Sequence, residues 1–498
     1  MSLFETIKLP NGKEYEQPLG LFINNEWVAT EDTLETIDPA TGKVITKLFI
    51  GNEKYVDDAV KAARAAFESP EWSGIPSSER GDYLFKISQI IKRDAELIAS
   101  IECYDNGKPW DECIGGDIVE AYEVFKYYGG FADKLAGKVI EPSPDKLTYM
   151  RQEPLGVCGQ IIPWNFPFMM LAWKVAPAIA CGNTVVLKPS EVTPLTAAYF
   201  GKVILEAGLP KGVVNIVQGY GKDVGNAISI HKGVDKVAFT GSTATGKLIM
   251  KNAAESNLKN VTLECGGKSP YIIFDDANID QAAKWGWYGI FYNKGEVCTS
   301  TSRFYVQEKI YDEFIAKFKE FCESTIKISS PFEEGCTIGP LVSKQQLDKV
   351  VSYIDIGVKE GAKLVSGGKK VKEETGGYFI QPTIFADCTE EMRINTEEIF
   401  GPVVSISKFT DEAEVISKAN DSQYGLGAAL FSKDVTRCHK VAHKIQAGMV
   451  WINSNGDSHF GVPFGGYKSS GIGRELGPYA LDMYTQTKAI HINLGADI

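Results

Sequence analysis

Apolar segments of strand length alternate with helical segments between residues 157 and 264, and this alternation constrains the fold more than any other feature of the chain. Consecutive parallel strands need a crossover, usually a helix, and a sheet built in this way is covered on both faces. We therefore predict a doubly wound sheet whose ligands bind beyond the carboxyl ends of its strands. The five predicted strands are 157–162, 184–187, 213–217, 236–239 and 260–264.

A second alternating series follows residues 266–267. Residues 271–274 and 303–306 have the composition of buried strands, and a helix rich in Trp and Tyr passes through Trp285 and Tyr288 between them. The predicted fold class is therefore α/β, with a Rossmann-like cofactor domain followed by a second α/β domain.

Composition and charge exclude several classes of protein. The formal charge of −12 argues against a nucleic-acid partner, because such partners need a clustered basic field. We expect no membrane span, since Lys174 interrupts the best apolar run, 168–181. Residues 1–8 have neither the apolar core of a secretion signal nor the Arg-rich character of a mitochondrial presequence, so we expect a cytoplasmic protein. The ten cysteines lack metal-ligand spacing, which predicts reduced thiols and no metal site.

Two short segments offer a base and a nucleophile. Residues 262–270 read Thr-Leu-Glu-Cys-Gly-Gly-Lys-Ser-Pro and place the carboxylate of Glu264 at the end of an apolar strand. Residues 293–300 read Asn-Lys-Gly-Glu-Val-Cys-Thr-Ser and place the thiol of Cys298 in a small polar loop. A carboxylate and a lone thiol in such settings suit covalent catalysis followed by hydrolysis.

Two further motifs accompany this pair. Residues 163–167 read Pro-Trp-Asn-Phe-Pro, and residues 397–402 read Glu-Glu-Ile-Phe-Gly-Pro. With its four motifs in this order, the chain resembles the aldehyde dehydrogenase superfamily from about residue 22 to residue 493. The segments Trp-Ile-Asn-Ser, which begins at residue 451, and Val-Pro-Phe-Gly-Gly, which begins at residue 462, are similar to those of fungal cytosolic members.

The resemblance implies oxidation of an aldehyde to its carboxylic acid with NAD. A carbonyl carbon gives up hydride only after it becomes tetrahedral, so the reaction needs a nucleophile, which Cys298 supplies. Asn165 and the backbone N–H of Cys298 are suited to stabilise the resulting oxyanion. Glu264 is the expected base for hydrolysing the thioester, since burial would raise its pKa toward the working pH. The plainer alternatives are a turn residue for Asn165 and a turn cap or a partner of Lys268 for Glu264.

The expected cofactor site combines a carboxylate with two glycine turns, of which residues 219–225 are a stretched relative of the dinucleotide fingerprint. Residues 241–247 open a helix whose backbone N–H groups suit a pyrophosphate, whereas a P-loop NTPase, the alternative, would need Ser or Thr where Leu248 stands. Glu191 would accept hydrogen bonds from the adenine ribose and favour NAD, but Lys188 could neutralise a 2′-phosphate, which keeps NADP open. The same two side chains could also be a solvated surface pair. The predicted cofactor residues are Lys188, Glu191, Gly221, Gly225 and Gly241, to which the resemblance adds Ile161, Trp164, Ser242, Glu398 and Phe400, the last two at the nicotinamide ribose.

The resemblance also maps a substrate funnel that suits aldehydes with apolar tails, although aromatic residues at such spacings are commonly plain core. The loop 454–459 is more polar than is usual there, and we hypothesise that Asp457 and His459 admit small, hydroxylated or amino aldehydes. The predicted substrate residues are Phe166, Met170, Trp173, Tyr292, Phe460 and Phe464.

The C-terminal residues 487–493 alternate as a strand does, without an obvious partner nearby in the sequence. In the resembling family a projecting C-terminal strand joins the bridging domain of a neighbouring subunit, which implies a homotetramer or homodimer. The expected domains are cofactor binding at 1–133 and 155–266, catalysis at 267–466, and a small β bridging or oligomerisation element at 134–154 and 481–498.

Two alternative functions share this fold. A non-catalytic homologue would have lost Cys298, Glu264 or Asn165, and all three are present. A dehydrogenase that passes the acyl group to coenzyme A would not be expected to keep Glu264. The sequence therefore predicts an enzyme that releases the free acid.

Overall fold

The computed structural model describes residues 1–497 and contains one large, mainly parallel sheet of eight strands. The five predicted strands form its parallel centre, and antiparallel strands extend it at both edges. The predicted doubly wound arrangement is thus confirmed. In spatial order the strands are Gly471–Ile472, Asn260–Glu264, Lys236–Thr240, Val157–Ile161, Thr184–Lys188, Val214–Ile216, Leu21–Ile23 and Glu26–Val28.

Helices cover both faces of this sheet. Successive strand residues point to opposite faces, so Val185 and Leu187 lie in one core cluster while Val186 lies in another. Because both faces are buried, the strands read as continuous apolar runs. One face is covered by Ser77–Arg93, Ala95–Asn106, Ile118–Gly129, Pro167–Ala180 and Leu195–Ala207, and the other by Glu53–Glu68, Asn226–Ile230 and Thr243–Ser256.

A second sheet of seven strands confirms the second α/β unit. All its neighbouring strands are parallel except the first pair at one edge. Its strands, in spatial order, are Lys363–Ser366, Thr383–Ala386, Val403–Phe409, Thr301–Gln307, Ser269–Ile273, Gly427–Phe431 and Met449–Ile452. Its helices are Ile279–Phe291, Tyr311–Thr325, Lys344–Lys359, Glu412–Asn420 and Val435–Ala442.

The C-terminal strand Thr485–Asn493 has its partner within the same chain. It pairs antiparallel with Lys146–Pro154 along its full length, and Val139–Ser143 completes a three-stranded sheet. A segment more than 300 residues earlier thus supplies the backbone partners on one side of this strand. The strand lies at the edge of its sheet, and the expectation that it joins a neighbouring subunit stays a prediction. Residue 498 of the predicted 481–498 segment lies outside the described residues.

No helix within residues 1–497 is long and apolar enough to cross a bilayer.

Shorter elements connect these layers. Three two-stranded sheets pair Phe4–Lys8 with Glu14–Pro18, Thr33–Ile37 with Val44–Phe49, and Tyr424–Gly425 with Tyr467–Lys468. Short helices are Pro70–Ser73, Trp110–Glu112, Arg393–Thr396 and Tyr479–Asp482.

The order of the parallel strands locates a crevice. From Val157–Ile161 the chain moves to one side through Thr184–Lys188, then returns to add Lys236–Thr240 on the other side. Ligands of doubly wound sheets bind at such a switch point, beyond the carboxyl ends of the strands. Glu264 ends the next strand, so the same edge of the sheet leads directly to it.

Candidate active site

Cys298 has a different environment from the other cysteines. All ten lie within residues 1–497; nine are buried, and Cys298 alone is partly exposed. Its sulfur is nevertheless poorly hydrated, and this burial, with repulsion from Glu264 and Glu398, raises the pKa of the thiol to about 12. The resting group is therefore a thiol, and it needs help to react as a thiolate at neutral pH.

This pKa predicts a steep pH dependence for alkylation of Cys298. Far below its pKa the thiolate fraction of a cysteine rises about tenfold per pH unit, so the iodoacetamide rate of the free enzyme should rise by about that factor per unit between pH 7 and 9. Peptide mass spectrometry after timed labelling measures it, with Cys298→Ser as the control that removes the fast site. A plateau below pH 9 would show that the thiol ionises much more readily than its surroundings indicate.

The backbone before Cys298 is strained. Asn293, Lys294 and Gly295 all have positive φ, at 44°, 60° and 69°. Non-glycine residues in this region carry a cost and persist where their surroundings impose it. The sequence Asn-Lys-Gly indicated part of this positive-φ turn, because Asn and Gly tolerate the left-handed conformation.

A buried polar network that the sequence did not reveal holds this strained turn. Lys294 is fully buried and pairs with Glu296 at 3.1 Å, and its Nζ also donates to Oδ1 of Asn106 at 2.8 Å. The backbone N–H of Asn293 donates to Glu112 at 3.0 Å. Asn106 and Glu112 come from distant helices, so no local pattern could have identified them.

Asn165 is anchored to the same turn. Its side-chain Nδ2 donates to the backbone carbonyl oxygen of Glu296 at 3.0 Å. The backbone carbonyl oxygen of Asn165 in turn accepts from Nδ2 of Asn293 at 2.9 Å. One amide hydrogen of the buried Asn165 side chain is thereby engaged and the other is left for a ligand. Asn106 supports the same loop by donating to the carbonyl of Trp164 at 2.7 Å.

Glu264 ends its strand as predicted and is almost fully buried, at 5% exposure. Burial raises the pKa of this carboxyl well above its usual range, repulsion from Glu475 adds to the rise, and Lys174 and Arg474 oppose it. Its Oε2 has no hydrogen-bond partner within residues 1–497. In that same range Lys268 makes no ion pair with it, so the alternative of a Glu264–Lys268 pair does not hold.

The two glycines after Glu264 leave room for the groups around them. A Cβ on Gly267 would lie 2.7 Å from the carbonyl oxygen of Cys298, and a Cβ on Gly266 would overlap the carboxylate of Glu398. The Gly267 N–H donates to Oε1 of Glu398 at 3.0 Å. The glycine pair therefore brings the thiol loop and Glu398 together through a close backbone approach.

Phe400 connects this region to Trp164. Its φ of 61° is unusual for an aromatic residue, and its ring meets that of Trp164 edge to face at 5.2 Å. The structure thus brings Trp164 to the segment of Glu398 and Phe400, which lies more than 200 residues later in the sequence.

The switch-point crevice gathers five of the predicted cofactor residues. A Cβ on Gly225 would come within 4.0 Å of Ile161 and Lys188 side-chain atoms. Lys188 donates to Oε2 of Glu191 at 2.7 Å and is only 2% exposed, so the two do not form a solvated surface pair. Burial raises the pKa of Glu191, but its contacts with Lys188 and the backbone of Gly221 outweigh this and shift the pKa downward.

Gly241 and Ser242 lie at the start of the helix Thr243–Ser256. Ser242 is its N-cap, and its Oγ accepts from the N–H of Thr245. Residues 243–247 already belong to the helix and form no loop that could wrap a phosphate chain, which argues against a P-loop. The exposed Ser242 at a helix N-terminus does suit a phosphate group.

The six predicted substrate residues belong to one apolar cluster. Three are buried in it and three are partly buried against it, together with Val297, the neighbour of Cys298. Trp173 meets Phe464 edge to face at 4.9 Å, and Phe166 stacks with Tyr292 at 6.3 Å. The buried members are Phe166, Met170 and Trp173, and the partly exposed ones are Tyr292, Phe460 and Phe464.

Comparison with known proteins decides the identity. The sequence matches the aldehyde dehydrogenase family over residues 27–490. The chain belongs to the aldehyde dehydrogenase family. It is similar to the aldehyde dehydrogenase of Emericella nidulans, at 52% identity over 99% of this chain and 98% of that protein. It is also similar to aldehyde dehydrogenase [NAD(P)+] 1 of Saccharomyces cerevisiae, at 47% identity over 100% of this chain and 99% of that protein.

Solved structures agree with this membership. The NAD+ complex of an aldehyde dehydrogenase from Bacillus cereus has a TM-score of 0.94 and 46% identity, and covers 96% of this chain and 97% of that one. The predicted enzyme class, an aldehyde dehydrogenase that depends on NAD(P), is thereby confirmed. Its fold class is confirmed by the same likeness and by the two sheets.

Proposed function

We propose that this aldehyde dehydrogenase forms a covalent thioester on Cys298 and hydrolyses it to the free acid with Glu264 as base. The observation that carries the proposal is that the partly exposed thiol is within electrostatic reach of Glu264, while Asn165 is bonded to the loop that holds it. These three groups supply nucleophile, base and oxyanion donor.

In the first step the Cys298 sulfur attacks the aldehyde carbon, and its proton leaves to a base. The carbonyl oxygen becomes an oxyanion within a thiohemiacetal, and the free amide N–H of Asn165 and the backbone N–H of Cys298 donate to it. Loss of one such donor typically costs about 3 kcal/mol of transition-state stabilisation. The bond between Asn165 and the Glu296 carbonyl keeps the amide oriented before substrate arrives.

In the second half of the reaction the thioester is hydrolysed. Glu264 takes a proton from water, whose oxygen adds to the acyl carbon, and the C–S bond breaks to regenerate Cys298 and release the acid. The unpartnered Oε2 of Glu264 suits this role, because no protein donor within residues 1–497 competes for it. Its raised pKa makes it a base that works better as the pH rises.

NAD, when bound, supplies the hydride acceptor for the thiohemiacetal. The residues around the switch point fit such a group, since Gly225 leaves open the space beside Ile161 and Lys188 that a side chain would fill. Ser242 at the helix N-terminus would hold the pyrophosphate, Glu191 the adenine ribose, and Glu398 with Phe400 the nicotinamide ribose.

The Lys188–Glu191 pair favours NAD over NADP. The Lys188 ammonium already donates to Glu191 and to the carbonyl of Pro189, so it is committed within the protein. The carboxylate of Glu191 would repel a 2′-phosphate. NADP remains an alternative oxidant at lower efficiency.

NADH production from a simple aldehyde tests the proposed function. We expect the absorbance of NADH to rise with water as the only acyl acceptor, the carboxylic acid to appear in equal amount, and NADP to support a slower rate. A requirement for coenzyme A would identify the acylating alternative instead. Absence of reduced cofactor with every aldehyde in a broad panel would favour the non-catalytic alternative.

The remaining organisation follows from the resemblance. The enzyme acts in the cytosol as a homodimer or homotetramer, with the sheet built from Val139–Ser143, Lys146–Pro154 and Thr485–Asn493 as the bridging element. The sheet connection at Gly266–Gly267 supports a boundary between the cofactor and catalytic domains at that point.

A further inference from the structure

Lys294 and Glu296 form a fully buried ion pair in the turn before Cys298, and the proposed reaction gives neither side chain a role. Taking two charges out of water is costly, and a buried ion pair is often no more stabilising than apolar residues of the same volume. Stabilising the fold is therefore a weak reason for placing two charges at this point of the chain.

The ammonium group of Lys294 is fully engaged within the protein. Its Nζ donates to Oδ1 of Asn106 at 2.8 Å and to the backbone carbonyl oxygen of Asn106 at 3.2 Å, and it lies 3.1 Å from Oε2 of Glu296. A lysine ammonium has three N–H donors, so these contacts account for its binding capacity. Lys294 is thus a fixed link between the turn before the thiol and the helix Ala95–Asn106.

Two routes lead from this ion pair to Asn165. Along the first, Nδ2 of Asn106 donates to the backbone carbonyl oxygen of Trp164 at 2.7 Å, one residue before Asn165. Along the second, the backbone carbonyl oxygen of Glu296 accepts from the side-chain Nδ2 of Asn165 at 3.0 Å. Lys294 joins the two routes and closes a ring, which holds both the backbone and the side chain at Asn165.

The ring is anchored to both parts of the fold. Asn106 ends a helix that packs on the first sheet. On the other side, Oε1 of Glu296 accepts from the backbone N–H of Val342 at 3.1 Å, just before the helix Lys344–Lys359 of the second α/β unit. An oxyanion donor is most effective when it is oriented before the charge develops, because no reorganisation is then needed during the reaction. The ring provides this orientation for Asn165.

We propose that Lys294, paired with Glu296, is a positioning residue that aims the free amide N–H of Asn165 at the oxyanion. It acts through its links to Asn106 and Glu296 and makes no contact with the substrate. The inference rests on the proposed function, in which Asn165 is the oxyanion donor. Without the link, Asn165 remains in place but is held less firmly, so the steps that form the oxyanion should become slower.

The combined change Lys294→Met and Glu296→Gln removes the link without leaving a buried charge. Methionine is unbranched like lysine, and glutamine can still accept from the Val342 N–H. Loss of one oxyanion donor costs about a hundredfold to a thousandfold in rate, and a misaligned donor loses part of that. We expect the NADH rate of the first turnover to fall by about tenfold, while the KM for NAD stays within about twofold.

A double-mutant cycle with Asn165→Ala separates positioning from a general loosening of the site. Asn165→Ala alone should lower the first-turnover NADH rate by about a hundredfold or more. In that background the Lys294→Met and Glu296→Gln change should cost less than about twofold, because the donor that the ring aims is already gone. If the two losses multiply instead, the ion pair acts on another part of the site and the inference is wrong.

Lys259→Met is the matched control, because it also removes a buried lysine. Lys259 donates to the carbonyl oxygen of Ser229 at 2.6 Å and to Oγ of Ser256 at 2.8 Å. It precedes the strand Asn260–Glu264, at the end remote from Glu264. This variant should keep the wild-type NADH rate. A tenfold loss here would show that removing any buried ammonium slows the enzyme, and would overturn the role of Lys294.

Asn106→Asp tests the ring should the first variant fail to fold. The aspartate keeps an acceptor for Lys294 but loses the donor to the Trp164 carbonyl, so the first turnover should slow severalfold, again without a further loss in Asn165→Ala. A wild-type rate in Asn106→Asp, or in the folded Lys294→Met and Glu296→Gln variant, overturns the inference and leaves the proposed function intact. If Asn165→Ala itself keeps the wild-type rate, the proposed oxyanion donor and the inference fail together.

Discussion

Replacing Cys298 by serine is expected to lower turnover by more than about a thousandfold, because a hydroxyl ionises far less readily than a thiol and forms no thioester. The loss should appear in the first turnover as well as in the steady state, since the nucleophile precedes hydride transfer. Rapid-mixing measurement of NADH, with mass spectrometry of the intact protein, checks both the rate and the missing acyl adduct.

Cys336→Ser is the matched control for this change. Cys336 is 7% exposed, and its sulfur contacts the carbonyl of Ser329 at 3.5 Å, a contact that a serine hydroxyl can replace. We expect that variant to keep wild-type turnover. Undiminished activity in Cys298→Ser would discard the covalent mechanism.

Glu264→Gln is expected to release about one NADH per active site and then stall. The amide cannot take a proton from water, and the loss of a general base costs about a hundredfold to ten-thousandfold in rate. The acyl group should therefore accumulate on Cys298 and be visible by mass spectrometry. In the wild-type enzyme, burial and Glu475 raise the pKa of Glu264, so hydrolysis should become faster as the pH rises.

Glu255→Gln provides the control for loss of one negative charge, because Glu255 is 67% exposed on the helix Thr243–Ser256 that packs beside the same strand. It should turn over normally and show no stalled adduct. If Glu264→Gln gives neither burst nor adduct, Glu264 is also needed to prepare the thiol for attack. Burial chiefly raises the pKa of Cys298 and the charge of Glu264 adds to the rise, so the two groups are within electrostatic reach of each other.

The predictions from sequence were most accurate where a local pattern carries the physics. The five strands of the first sheet were expected within a residue or so of their observed bounds, since buried parallel strands are short apolar runs between helices. Glu264 at a strand end and Cys298 in a loop were local observations too. The order of the motifs that carry Glu264 and Cys298 is the order found in the family, and this order led us to expect both residues in one site.

Local sequence patterns could not predict the contacts that shape the site. Asn106, Glu112 and Glu120 come from one stretch of helices, and their partners Lys294, Asn293 and Ser458 come from loops more than 150 residues later. The partner of the C-terminal strand was likewise absent from its own neighbourhood. Pairings of this kind depend on where whole layers pack, which hydrophobic periodicity does not specify.

By itself, the sequence determined the α/β layering and pointed to the proposed nucleophile, base and oxyanion donor, because each depends on a short run of residues whose chemistry is local. Tertiary structure decided which thiol is accessible and how the strained turn before it is held. Those properties depend on burial and on charges brought together through space, and they exist only once the helices have packed on the sheets.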